Sequence, residues 1–148
     1  MALDADSFDI LLSTVQRFVR EQLVPAENRL EEHDEVPAEL VDAMKEMGLF
    51  GLTVPEEFGG IGLSVSQEVQ VNFELGQTAT AFRSDFGTNI GIGSQGILMD
   101  GTADQKADDL PRVASGELIM SFALTEPDAG SDAASLKTRA ELDGDHYV

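Results

Sequence analysis

Apolar residues return every three or four positions through most of the chain, and near residue 118 that rhythm changes. Phe8, Leu11, Leu12, Val15, Phe18, Val19 and Leu23 form one stripe, which predicts an amphipathic helix. Asp6 or Ser7 is placed to cap it, and Pro25 to end or kink it. A second helix is expected from Pro37, with Leu40, Val41, Met44 and Met47 facing inward and Gly48 as a left-handed stop. The glycine-rich block Gly48–Ser64 cannot be one helix: Leu52–Val54 should be extended before Pro55, and Glu56–Gly62 should be a loop. Ser64 or Ser66 caps a third helix whose inner face is expected at Val65, Val69 and Phe73. A helix rich in small residues should follow over Thr78–Met99, running on or broken near Gly87. Thr102-Ala-Asp-Gln105 spells a capping box that opens a helix through Leu110, with a break or kink near Pro111 and a stop at Gly116.

Beyond Gly116 the period suits strands, at Ile119–Leu124 and Leu136–Leu142. Asp143-Gly144 is a hairpin signal, with Asp145–Val148 as the returning strand. Such a short, uncovered hairpin is marginal alone, so the chain reads as cut within a β domain.

Composition adds three limits. There is no cysteine, so disulfides, thiolate nucleophiles and cysteine zinc sites are out, which suits a cytoplasmic setting. No run reaches the roughly 18 apolar residues of a membrane span. With 28 acidic against 9 basic side chains the net charge is −19, which disfavours nucleic acid and anionic membranes as partners. That charge suits either an ordinary acidic surface or adaptation to high salt.

Several motifs carry little chemistry. Gly91-Ile-Gly93-Ser-Gln-Gly96 has the dinucleotide spacing but no buried strand before it, so its glycines are expected to let helices or a ligand come close. His33 and His146 are isolated, and no histidine–carboxylate triad can be assembled from them. The pairs Asp4/Asp6, Asp108/Asp109 and Asp143/Asp145 lack a calcium-loop pattern. The segment Phe122–Ser135 is different. Thr125 follows a predicted strand, Pro127 fixes the backbone, Gly130 permits an open turn, and Ser131 and Asp132 can cap or donate. It suits a rigid, donor-rich loop for a polar heterocycle or phosphate, and equally a capped turn between strands.

Phe122-Ala-Leu-Thr-Glu-Pro-Asp-Ala-Gly-Ser-Asp132 resembles the flavin-contact segment of acyl-CoA dehydrogenases. Gly48–Ser64, Gly101–Lys106, Leu110-Pro111, Ser115-Gly-Glu117 and the Leu136–Val148 hairpin are similar to further blocks of that family, in its order. The resemblance implies a mainly α fold: a helical N-terminal domain over 1–117, then the first strands of a truncated middle β domain over 118–148. It implies FAD as cofactor, acyl-CoA as substrate and α,β-dehydrogenation as the reaction. An electron-transfer flavoprotein or similar acceptor and a homo-oligomeric assembly are implied as partners. Phe122, Leu124, Thr125, Gly130 and Ser131 would lie against the flavin, Ser131 would also touch substrate, and the helices around Phe82–Ile97 would wall part of the acyl pocket. Glu126 is not expected to be the base, because the family's catalytic glutamate belongs to a C-terminal domain. The 148 residues alone are expected to be inactive and to expose apolar surface. An acyl-CoA oxidase, another flavoenzyme of the superfamily or a non-catalytic helical module are the alternatives.

Overall fold

The computed structural model describes residues 3–148. Among the described residues seven α-helices make up the body: α1 (Ala5–Phe18), α2 (Val24–His33), α3 (Ala38–Glu46), α4 (Val65–Leu75), α5 (Thr80–Thr88), α6 (Ser94–Asp100) and α7 (Ala103–Ala114). Strands β1 (Leu142–Asp143) and β2 (His146–Tyr147) pair antiparallel near the end. The fold is mainly α, as expected.

α1 and α2 are one long helix joined by a π turn over Val19–Leu23. Pro25 has no amide hydrogen to give to a regular helical ladder, and it sits at the first turn of α2, directly after the wider π turn. The proline therefore does not end the helix. The cap is Asp4 rather than Asp6 or Ser7, its carboxylate accepting from the Ser7 amide at 3.0 Å. That contact holds the Asp4 carboxyl below the usual range.

The core gathers Phe8, Val15, Phe18 and Leu23 with Leu40, Met44, Leu49, Phe50, Leu52, Val71, Leu75, Phe82 and Phe86. Phe50 and Phe86 meet edge to face at 6.0 Å. Gly48 ends α3 in the left-handed region, as expected. Leu52–Val54 is not extended: the chain turns through a 3-10 segment at Leu49–Gly51, and Leu52 is helical. This compact turn buries Leu49, Leu52 and Val54 without a sheet.

α4 carries the main correction. Ser64 and Gln67 form its capping box, but Val65, Val69 and Phe73 face outward, with Val65 76% and Phe73 73% exposed. The helix has apolar residues on two sides, and Val71 and Leu75 are the ones buried as it packs against α1. Polar tethers secure that choice: Gln67 Nε2 donates to the Leu3 carbonyl at 2.8 Å, and Gln16 Nε2 to Glu74 Oε1 at 2.9 Å.

α5 has no cap of its own in the preceding residue. Glu27 of α2 serves instead, accepting from the Thr78 hydroxyl at 2.8 Å and the Ala79 amide at 2.9 Å. The break in the following helix falls at Gly91 (φ −112°, ψ −113°), inside a π turn over Asn89–Gly93, rather than near Gly87. Thr102 and Gln105 make the expected capping box. Pro111 does not stop α7, which continues to Ala114 before Gly116 turns left-handed.

Neither Ile119–Leu124 nor Leu136–Glu141 is a strand among the described residues, because no neighbouring strand pairs with them. The hairpin pairs Leu142 with Tyr147 and Asp143 with His146, so its two-residue loop is Gly144-Asp145, one position later than expected.

Candidate active site

Two features lie side by side. The first is a cleft of about 310 Å³ lined by Arg83, Ser84, Gly87, Thr88, Gly91 and Ile92, along α5 and the π turn. The Arg83 guanidinium lies against Gly87, where a Cβ would come within 2.8 Å of Nη1. Its Nε donates to Asn72 Oδ1 at 3.3 Å, and no carboxylate stands within ion-pair distance among the described residues. Nearby Asp85 is half-buried, and desolvation raises its carboxyl above the usual range.

The second feature is the segment after α7. Asn89 is fully buried and holds the segment's start: Nδ2 donates to the carbonyls of Val113 (3.1 Å) and Leu118 (2.9 Å), and Oδ1 accepts from the Met120 amide (2.9 Å). A Cβ at Gly93 would meet the Met120 Cβ at 2.4 Å, so glycine lets the segment lie directly on the π turn. The glycines of the G-x-G-x-x-G run thus serve close packing at Gly93, while a Cβ at Gly91 or Gly96 would meet nothing.

From Ser121 to Thr125 the backbone makes no hydrogen bond to other backbone groups among the described residues. Phe122 (53%) and Leu124 (38%) are exposed, as are Thr125, Gly130 and Ser131. Glu126 and Ala129 then close a tight turn through paired backbone bonds. Thr125 and Gly130 are brought together across that turn, the Thr125 Cγ2 lying 4.0 Å from a Cβ built at Gly130. None of the five sequence-assigned residues lines the cleft beside α5; the Met120–Gly93 contact joins the two features.

Glu126 is committed to structure. Its carboxylate accepts from the amides of Lys137 at 2.9 Å and Thr138 at 2.7 Å, and these bonds hold it below the ordinary glutamate range. Lys137 also pairs with Asp128 at 3.0 Å. Asp132 bonds the Ser135 hydroxyl and does not cap the following turn through a backbone amide.

An apolar, exposed strip with free backbone donors and acceptors fits a flat ring that has apolar faces and a polar edge. Among the described residues there is no cluster of metal-binding side chains, and no helix is long and apolar enough to cross a membrane. Sequence reasoning missed Asn89 and Arg83. Asn89 falls on the inward stripe with Phe82 and Phe86 at helical spacing, and a lone amide on such a stripe was the available signal.

A helical body thus carries an open segment, anchored at Met120 on the π turn beside the cleft. A model of the acyl-CoA dehydrogenase N-terminal domain matches residues 6–117. (2S)-Methylsuccinyl-CoA dehydrogenase of Cereibacter sphaeroides is 43% identical over 144 residues, covering 97% of this chain and 26% of that protein. An acyl-CoA dehydrogenase of Bacillus anthracis, solved in complex with FAD, superposes with a TM-score of 0.81 at 34% identity, over 98% of this chain and 25% of that one. A chain solved under the description of the electron transferring flavoprotein of Acidaminococcus fermentans gives 0.85 at 31%, over 100% and 39%. The chain belongs to the acyl-CoA dehydrogenase family, and it spans about a quarter of the curated relative's length.

Proposed function

We propose that residues 1–117 are the helical domain, and residues 118–148 the start of the middle domain, of a flavin-dependent enzyme that dehydrogenates acyl-CoA thioesters between Cα and Cβ. The observation that carries this reading is the unpaired segment 121–125, anchored through Met120 on the π turn whose Gly91 and Ile92 line the α5 cleft. Phe122 and Leu124 would pack on the ring, and Thr125 would hydrogen-bond its edge. Gly130 and Ser131 would lie where the ring meets the CoA chain, with Ser131 touching substrate. FAD, when bound, would supply the acceptor for the hydride that leaves Cβ. The residues of this chain bind and orient; none is assigned as the base. Glu126 is unsuited to that task, since both carboxylate oxygens are engaged by amides and its basicity is lowered. The 148 residues by themselves would retain flavin weakly and turn over nothing. In the whole protein, electrons would pass to an electron-transfer flavoprotein or similar acceptor, within a cytoplasmic homo-oligomer.

Arg83 narrows the acyl group. A half-buried arginine without an acidic partner among the described residues, in a chain with 28 acidic residues, suits an anion from outside. With the Ser84 and Thr88 hydroxyls beside it, the cleft suits an acyl chain ending in a carboxylate. The methylsuccinyl-CoA in the name of the Cereibacter relative is an acyl group of that kind.

The test is the protein at its natural gene length, purified with FAD and assayed by dye reduction. It is expected to be yellow and to be bleached by an acyl-CoA; a colourless protein overturns the reading. Arg83→Leu is expected to raise KM for carboxylated acyl-CoA about tenfold or more while leaving plain acyl-CoA little changed. Equal effects on both substrate types would remove the carboxylate assignment.

A further inference from the structure

Asn89 is an expensive residue for its position. It is a weak helix former, fully buried, on a face shared with Phe82 and Phe86. Its three bonds use both amide hydrogens and the carbonyl oxygen, so the group is satisfied. An apolar replacement would leave the Leu118 carbonyl and the Met120 amide without that partner. The three bonds reach the end of α7, the first residues beyond it, and the last fixed point before the open segment 121–125. The next fixed point is the Glu126–Ala129 turn. On its other side Asn89 belongs to the π turn that forms the cleft wall at Gly91 and Ile92. One side chain therefore ties the π turn that borders the cleft to the residue just before the segment assigned to the flavin.

We propose that Asn89 is a positioning residue: it sets the height of residues 121–125 relative to the cleft, so that ring and acyl chain meet in register. The inference rests on the flavin reading proposed above. Asn89 touches neither reacting group; it acts through Met120.

Three variants test it. Asn89→Asp keeps the shape and replaces the donating Nδ2 by an acceptor oxygen facing two carbonyls. Asn89→Ala removes all three bonds. Gly93→Ala leaves the Asn89 side chain in place but crowds Met120 and the Thr88 carbonyl, displacing the segment's anchor from the other side. Val15→Ala, a cavity in the α1 core, supplies a control that loses stability far from the segment. In the flavin-loaded protein of natural length, Asn89→Asp is expected to weaken flavin binding about tenfold, to shift the visible flavin spectrum, and to lower kcat more than it changes KM. If Asn89→Asp and Val15→Ala give the same spectrum and affinity, the role is merely structural and the proposal falls. Hydrogen exchange on the 148-residue chain reads the same contact without cofactor. Faster exchange at Met120–Thr125 in Asn89→Asp, with α1 to α4 still protected, supports the proposal; unchanged exchange there overturns it. Should both Asn89 variants fail to fold, Gly93→Ala decides: a shifted flavin spectrum supports the proposal and a wild-type one overturns it. A wild-type protein that takes up no flavin defeats the flavin reading instead, and exchange alone then decides whether Asn89 orders the segment.

Discussion

The helical body and the segment after Glu117 are held by different forces. Among the described residues every buried apolar side chain except Ala129 lies before residue 115. The body is secured by close-packed side chains, whereas the later segment depends on a few polar contacts: Asn89 to Met120, Glu126 to Lys137 and Thr138, and a two-rung hairpin. The residues assigned to the flavin all fall in the loosely held part, while Arg83, assigned to the acyl group, stands on α5 of the body. A rigid scaffold thus presents a segment whose own backbone groups stay free to bind.

The sharpest way to break this contrast is to truncate matched apolar residues in the two parts. Phe50→Ala is expected to destabilise the chain by about 3–5 kcal/mol in chemical denaturation, since Phe50 is buried against Phe86. Removing the Thr102 hydroxyl, as in Thr102→Ala, should cost about 1 kcal/mol by breaking the α7 capping box. Leu142→Ala in the exposed hairpin should move stability by less than about 0.5 kcal/mol. If Leu142→Ala costs as much as Phe50→Ala, the two parts fold as one cooperative core and the contrast is lost.

Acid provides a finer probe. The native Glu126 carboxyl titrates below its unfolded value, so its contacts support the fold at pH values above the unfolded one. That support fades as pH falls from the ordinary glutamate range through the depressed native value. Amide exchange at Lys137 and Thr138 should therefore accelerate in that acidic window, beyond its intrinsic pH dependence. Glu126→Gln should abolish the extra step, and its persistence in that variant would assign the titration elsewhere. The smallest effect expected is a rise in melting temperature between low and molar salt, as screening relieves the −19 charge. An unchanged melting temperature would mean that self-repulsion contributes nothing measurable.

What could be read from the sequence was local. The α1 stripe, the Thr102–Gln105 capping box and the Gly48 stop each follow from residues within a turn or two of one another. The turn at Thr125–Ser131 was also visible, because its turn residues are contiguous. What escaped were contacts made at long range. Glu27 caps a helix that starts some fifty residues later, and Asn89 reaches past α7. The inward face of α4 was ambiguous because both of its faces are apolar, and only its neighbour α1 selects Val71 and Leu75. Ile119–Leu124 has a strand-like pattern, but pattern alone supplies no partner to pair with.

The π turn at Val19–Leu23 also makes the length of the first long helix a matter of counting. Such a turn behaves as one inserted residue in a regular helix. Deleting a residue there would let the wide turn close to ordinary pitch and leave the downstream faces where they are, whereas inserting another would swing everything downstream by about 100° around the axis. Ala26 would leave the interior, and Glu27 would point away from Thr78 and Ala79, stripping α5 of its borrowed cap. A single codon gained in that stretch would thus be felt fifty residues away, while a codon gained on either side of Gly144 would alter only an exposed hairpin tip.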